Sequence, residues 1–208
     1  MTTKVDLRAE LGAKPDPHFT LTLPPGWSRF DTSEGLEDDF RQKLRQRTME
    51  LHRPDLFVQA DALLKQAFDG LKEAGAVALF MADEAGDDTA WLPASMTASI
   101  RAETAEHTLD QIVAQMIRKY DARPVKGDNR WVRFEQERRQ TIQSQELMVT
   151  LISYLTPIPA ADRKRALELS VTIMRPVDVP ADDEPMQVMR VLFDACVTSL
   201  RWHPPTAQ

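Results

Sequence analysis

The fold is decided by residues 130–175, which contain the segments RWVRFEQERR (130–139), ELMVTLISYLT (146–156) and ALELSVTIMR (166–175). In each segment apolar side chains recur at alternate positions. Because successive side chains of a strand point to opposite faces, this period of two predicts three consecutive β-strands. The middle segment is apolar at both odd and even positions, as at Val149 and Ile152, so we expect that strand to be central and covered on both faces.

The flanking sequence supplies further strands and several amphipathic helices. Period-two alternation predicts strands at residues 19–23 and 94–102, and the apolar run 76–81 predicts a buried strand. Helical spacing predicts helices over 36–53, 54–74, 105–122 and 185–200. The predicted order is β-α-α-β-β-α-β-β-β-α. Because short loops join successive strands, we expect an α+β fold with a largely antiparallel sheet of five or six strands and helices packed on its faces.

The second helix has an unusually broad apolar face. We expect this face to cover the sheet or another helix, so that the core consumes it and it gives no evidence for oligomerisation. Its members are Leu56, Phe57, Ala60, Leu63, Leu64, Ala67, Phe68 and Leu71.

The chain length of 208 residues fits one domain, at about 150 residues per domain. We expect a flexible segment over residues 1–17, a single domain over 18–203 and a short tail over 204–208. The N-terminal residues are charged and hold no apolar run typical of a signal peptide, and no run is long enough to span a bilayer. The sequence therefore predicts a cytoplasmic protein without a membrane partner.

Composition excludes several classes of function. The formal net charge is −6, which argues against a nucleic acid as the main partner, because phosphate binding needs clustered Lys and Arg. The chain has one cysteine, Cys196, so no intramolecular disulfide can form, and we expect its thiol to be buried in the last helix. The four histidines are not spaced as metal ligands on one helix.

Motifs for catalysis are also missing from the sequence. No glycine-rich phosphate loop and no GxSxG nucleophile elbow is present. We therefore predict no catalytic residues, no cofactor and no metal site.

The segment FTLTLPPGW (19–27), a predicted strand followed by a turn, resembles the opening of PsbP-like proteins. This superfamily includes a photosystem II extrinsic protein, a Ran-binding nuclear import factor and small bacterial lipoproteins. The predicted order of a strand pair, a helix, three strands and a C-terminal helix is also similar to that fold. The superfamily has no shared active site, so the resemblance implies a binding or assembly role and carries over no catalytic residue.

One strand offers a candidate partner surface. Trp131, Arg133, Glu135 and Arg139 fall on one face of the strand predicted over 130–139. Alternating charges of this kind can be satisfied by cross-strand pairs within the sheet. If the surface is functional, Trp131 and Arg133 are of the types enriched in binding hot spots, and the composition favours an acidic or mixed-charge protein partner over RNA.

The leading hypothesis from the sequence is therefore a non-catalytic binding or adaptor protein that binds another protein. A second hypothesis is a small-ligand-binding protein or enzyme with a pocket between the sheet and the helical hairpin, lined by His107 and Tyr154. A third is an acidic inhibitor of a basic protein, which the net charge permits.

Overall fold

The structure, a computed structural model, describes residues 16–32, 35–83, 88–142, 145–159, 161–162 and 164–204. The predicted flexible segment over residues 1–17 and the predicted tail over 204–208 therefore lie largely outside the described residues. The described helices are α1 Leu36–Glu50, α2 Pro54–Glu73, α3 Leu109–Tyr120 and α4 Glu184–Thr198. The described strands are β1 His18–Thr20, β2 Trp27–Asp31, β3 Ala76–Ala82, β4 Ala94–Ala102, β5 Arg123–Val125, β6 Asp128–Ile142, β7 Gln145–Pro157, β8 Arg165–Pro176 and β9 Arg201–His203.

The architecture is α+β with a large antiparallel sheet, as the sequence predicts. Seven of the described strands form one sheet in the order β2-β3-β4-β8-β7-β6-β5, and β1 pairs with β9 in a separate two-stranded sheet. Each neighbouring pair is antiparallel. The strands β6, β7 and β8 are the three predicted from alternation, and β7 lies between the other two with both faces buried along most of its length.

The number of strands is larger than the five or six expected, and the first strand is misplaced. Residues 18–20 pair with β9 outside the main sheet, whereas β2 forms the sheet edge against β3. Of the missed strands, β2 has five residues that do not alternate, and β5 and β9 have only three residues each. Strand β5 also contains Pro124, which is tolerated at a sheet edge.

The two faces of the large sheet carry separate cores. On one, the α4 face, Ile152, Tyr154 and Leu169 pack with Phe193 and Val197 of α4, all of them almost fully buried. On the other, the α3 face, the neighbouring strand residues Leu155 and Ala166 pack in a smaller cluster with Leu109 and Met116 of α3. Adjacent residues along a strand thus serve opposite layers, as the pleat requires.

The turn before β2 explains the LPPGW segment. Gly26 has φ of 72°, a left-handed conformation that L side chains rarely adopt, and a Cβ there would collide with Thr89. Trp27 follows directly and is buried. Its indole N–H donates to the carbonyl of Ala90 at 2.9 Å, and its ring meets Phe193 edge-on at 5.6 Å. The glycine therefore directs the tryptophan beneath α4.

Helices α1 and α2 form a hairpin at the β2 edge that is only lightly buried. Within it only Thr48 and Phe68 are classed as buried. The attachment to the sheet is an aromatic chain in which Phe40 lies 5.2 Å from Phe30 of β2 and 5.8 Å from Phe68 of α2, between ring centroids. The expectation that the apolar face of α2 is covered by the sheet or another helix is met only in part: Phe68 is buried against Phe40 of α1, but Leu56 and Leu63 remain exposed. None of the described helices is long and apolar enough to cross a membrane.

Candidate binding surfaces

The residues predicted as a partner surface lie on the α4 face, where most of them are covered. Trp131 has 0% of its surface exposed and belongs to the core beneath α4. The side chains of Arg133 and Glu135 are only 22% and 23% exposed, whereas Arg139 is largely exposed beside Glu146. Trp131 is therefore not the exposed anchor that the sequence predicts, because α4 covers this face of the sheet.

The alternating charges of β6 bind α4 instead. Arg133 contacts Asp194 at 3.1 Å and Glu135 contacts Arg190 at 2.6 Å, both partners being on α4. The phenol of Tyr154 donates to Asp194 at 2.6 Å from β7. Because these groups are partly or fully buried, removing one partner would leave an uncompensated polar group. The network therefore fixes the position of α4 on the sheet.

The shifted pKa values of Glu135 and Tyr154 favour one protonation state for each group, so that Glu135 accepts hydrogen bonds and Tyr154 donates one. Burial alone would raise the pKa of Glu135, but the hydrogen bonds from Arg190 and Arg133 outweigh it, so the carboxyl has a pKa below its ordinary value. Burial, together with the hydrogen bond to Asp194, raises the pKa of the Tyr154 phenol well above its ordinary value. Tyr154 thus stays a protonated donor at neutral pH, which suits a structural role and not proton abstraction.

The two residues of the predicted pocket are not brought together. Tyr154 is fully buried on the α4 face. His107 is exposed in the turn before α3, on the opposite side of the sheet, and its ring lies against the carbonyl of Glu106 at 2.5 Å. Because the sheet separates them, the predicted site with His107 and Tyr154 is not formed.

The remaining candidates for chemistry have structural surroundings. Cys196 is buried on α4 as expected, and burial raises the pKa of its thiol, which disfavours the reactive thiolate. His52 follows α1 and its ring contacts the carbonyl of Met49 at 3.1 Å, a contact with a helix end. In the ranges that the structure describes, no group of three or more His, Cys, Asp or Glu is placed to hold a metal ion.

The end of the hairpin where α1 passes into α2 exposes apolar side chains. Leu51 is 63% exposed and Val58 is 70% exposed, and Met49 and Leu56 are also exposed. Single exposed apolar residues are ordinary, but four within ten residues of a projecting element are characteristic of interaction sites. We define the hairpin tip by these four residues together with Arg45 and Arg47.

Two cations lie beside the apolar residues of the hairpin tip. Arg45 precedes Met49 by four residues and Arg47 precedes Leu51 by four, so each cation lies one helical turn from an exposed apolar side chain. Both arginine side chains are exposed and form no ion pair with another described residue. The hairpin tip is therefore apolar with two exposed arginines beside it. Over residues 45–58 three arginines stand against Glu50 and Asp55, a net charge of 3 − 2 = +1 on a protein whose net charge is −6.

A cavity of about 450 Å³ lies between α3 and β9 at one end of the large sheet. We call it the α3–β9 cavity. Its wall includes Trp131, whose indole Nε1 is buried without a hydrogen-bond partner among the described residues. The lining is otherwise mainly apolar, formed by Leu109, Val113, Val132, Leu155, Pro157, Pro159, Ala166, Leu200 and Trp202, with Asp110, Asn129, Arg130 and Thr156 as polar members.

Comparison with known proteins adds little to this geometry. No protein-family model and no curated protein matches the chain. A crystal structure of a protein from Bacteroides thetaiotaomicron VPI-5482 is weakly similar, with a TM-score of 0.43 and 14% sequence identity over 91% of this chain and 47% of that chain. The chain thus spans about half the length of that protein. At this similarity the match identifies neither a family nor a ligand.

The hairpin tip and the cavity were both missed by sequence reasoning. The breadth of the apolar face of α2 could have indicated an exposed apolar surface. Packing on α1 and the sheet covers the part of this face that includes Leu64 and Phe68 and leaves other apolar residues exposed. The cavity has no comparable signal. Its wall combines residues such as Val113, Leu155 and Trp202 from distant parts of the sequence, which only the tertiary structure brings together.

Proposed function

We propose that this protein is a non-catalytic binding or adaptor protein whose hairpin tip binds an acidic amphipathic helix of another protein. The observation that supports this most strongly is a group of exposed apolar side chains at the end of the hairpin where α1 passes into α2. These are Met49, Leu51, Leu56 and Val58. In the proposed complex these side chains bury against the apolar face of the partner helix, as in other helix-recognition surfaces.

The charge of the hairpin tip supports the choice of an acidic partner. Arg45 and Arg47 lie beside the apolar residues and are free of ion pairs with described residues, so they are available to carboxylates flanking the partner's apolar face. Arginine also forms two parallel hydrogen bonds with a carboxylate, which adds orientation to attraction. The predicted acidic or mixed-charge protein partner is retained, but its proposed surface moves from β6 to the hairpin.

A PsbP-like relationship is part of the same proposal. It is supported by the LPPGW segment, in which Gly26 makes a turn that L side chains rarely adopt and Trp27 enters the core. A binding role without a shared active site is what that resemblance implies.

The test is capture of partners from the source organism followed by binding measurements between purified proteins. Tip variants would be the double substitution Leu51→Glu with Val58→Glu and the double reversal Arg45→Glu with Arg47→Glu. The matched control is Val188→Glu with Val191→Glu, which alters two exposed valines on the outer side of α4. We expect both tip variants to bind the purified partner at least about tenfold more weakly, equivalent to about 1.4 kcal/mol, and the control to bind normally.

Three results would contradict the proposal. The first is no captured protein that binds directly after purification. The second is a partner whose affinity is unchanged by both tip variants. The third is binding that nuclease treatment abolishes, which would indicate that the arginines recognise a nucleic acid instead of a protein.

A further inference from the structure

We propose that this protein forms a symmetric dimer in which the free edge of β6 pairs with the same edge of a second copy. The free edge is residues 134–142, which follow the part of β6 that pairs with β5. Two seven-stranded sheets would then join in one continuous sheet. This surface is separate from the hairpin tip, because the hairpin lies at the β2 end of the sheet, so the dimer does not rest on the proposed function.

The free edge exists because β6 is much longer than its outer neighbour. Strand β6 pairs with β7 over residues 132–142 without a register shift, but with β5 only from Asp128 to Arg133. Beyond Arg133 the outer side of β6 forms no backbone hydrogen bond with any residue that the structure describes. A regular strand edge of this kind is a template for a further strand.

The other edges of the large sheet are less suited to pairing. Strand β5 has three residues, one of them Pro124, which has no N–H group to donate. Strand β2 has five residues, and the hairpin packs on it through the contact of Phe30 with Phe40. The free edge of β6 contains no proline and no bulge, and most of its side chains are exposed. Among the described strands it therefore offers the longest row of unpaired backbone groups.

Symmetry determines the register of the proposed pairing. Two identical antiparallel strands related by a two-fold axis pair over their full length when the axis passes through the middle of the segment. Arg138 is the middle residue of the free edge, so it faces its own copy. Residues at equal distances before and after Arg138 then face each other across the interface.

The side chains of the free edge complement each other in this register. Glu137 faces Arg139 of the second copy, and the two-fold axis makes this pair occur twice. Gln136 faces Gln140, and the two amides can hydrogen-bond to each other. Opposite charges that face each other across strands stabilise a sheet, whereas like charges destabilise it. Only Arg138, which faces itself on the axis, opposes the pairing.

The contacts within one chain leave Glu137 and Arg139 able to form this pair. Glu137 is held by Arg175 of β8 through contacts of 3.0 and 3.2 Å, yet 30% of its side chain is exposed. Arg139 lies on the same face of β6, is 63% exposed and contacts Glu146 at 3.4 Å. Because an exposed ion pair of this kind contributes little to folding, Arg139 can turn to a carboxylate of a second copy at small cost.

The first experiment measures dimerisation of the full-length protein by sedimentation velocity. A contact of one strand per copy is small, so we expect a weak dimer with a dissociation constant on the order of 10–100 µM. Arg139→Glu places two pairs of like charges across the interface and should weaken the dimer at least about tenfold. Arg138→Glu is the matched control. It makes the same change of charge one residue away but replaces one like-charge pair by another, so it should dimerise like the wild type.

Cysteine substitutions test the register. Facing residues of antiparallel strands have Cα atoms about 4.5–5.5 Å apart, which is within the range of a disulfide. Arg138→Cys should therefore form an intermolecular disulfide under mild oxidation, read by electrophoresis without reducing agent. Gln136→Cys lies four residues from its copy in this register, a separation of about 13 Å, and should not form one. The natural Cys196 is buried and serves as the background in the wild type.

Circular dichroism spectra would show that each variant remains folded. The proposal is overturned if the wild type is entirely monomeric at about 500 µM, which would leave the free edge to a strand of another protein. Equal dimerisation of Arg139→Glu and Arg138→Glu would also overturn it, because the interface would then not contain the Glu137–Arg139 pairs. Disulfide formation by Gln136→Cys as readily as by Arg138→Cys would contradict the two-fold register.

Discussion

Replacement of Phe68 by alanine should detach the α1–α2 hairpin while leaving the sheet folded. Phe68 is a buried residue of α2 and the last member of the aromatic chain from Phe30 through Phe40. A buried Phe→Ala substitution costs about 3–5 kcal/mol in a packed core. The hairpin has few other contacts with the sheet, so this loss should be a large part of the free energy that holds it in place.

Two spectroscopic probes can follow the hairpin and the sheet separately during urea unfolding. All four tryptophans lie outside the hairpin, so their fluorescence reports on the sheet. The hairpin contains more than half of the described helical residues, so circular dichroism in the far ultraviolet reports largely on it. With a urea dependence of about 1–3 kcal/mol per molar, we expect the helical signal of Phe68→Ala to be lost at least about 1 M earlier than in the wild type.

The fluorescence transition should move much less, so the two transitions of the variant would no longer coincide. Coincident transitions that shift together by the full amount would refute the reasoning, because the hairpin would then be part of the same cooperative unit as the sheet. An unchanged helical transition would refute it as well, because the aromatic chain would not be the attachment.

Three further predictions concern the α4 side of the sheet. Phe193→Ala should lower the free energy of unfolding by about 3–5 kcal/mol, out of the total of about 5–15 typical of a domain, and urea unfolding should show both probes shifting together; a loss below about 1 kcal/mol would contradict the assigned core. Tyr154→Phe should cost about 1.5–3 kcal/mol, because the hydrogen bond at Asp194 is made to a charged acceptor, and an unchanged unfolding midpoint would argue against that bond. Glu135→Gln should make stability less sensitive to acid: the folded-state pKa of Glu135 is lowered, so its contribution is present above the ordinary glutamate pKa of about 4.3 and is lost as the pH falls through the folded value. Urea unfolding at a series of pH values would test this, and parallel pH profiles for the variant and the wild type would disprove it.

The sheet was predictable where burial imposed a pattern on a long segment. The strands β6, β7 and β8 are 12 to 15 residues long, and their alternation gives both their existence and their order in the chain. The short strands β5 and β9 have three residues each and carry no such pattern, whereas alternation over residues 19–23 indicates β1 but not its partner. Their pairing depends on where the rest of the fold places them.

The candidate sites were harder to predict because they depend on which faces the fold leaves uncovered. Arg133 and Glu135 are of the charged types found on binding surfaces. In the structure they form ion pairs with Asp194 and Arg190 of α4. Leu56 is of a residue type usually found in cores, yet 36% of its surface remains exposed. In both cases the local sequence gives the chemistry of the side chain correctly, and only the packing of distant elements decides whether it contacts the core or solvent.

The most direct test of the proposed function is hydrogen exchange of the protein alone and in complex with its purified partner, read by mass spectrometry. The account predicts slower amide exchange on binding in the peptides that cover residues 45–58, with the exposed face of α4 around Val188 and Val191 unchanged. Protection confined to α4 or to the exposed end of β6 at Arg139, with residues 45–58 exchanging as in the free protein, would contradict it.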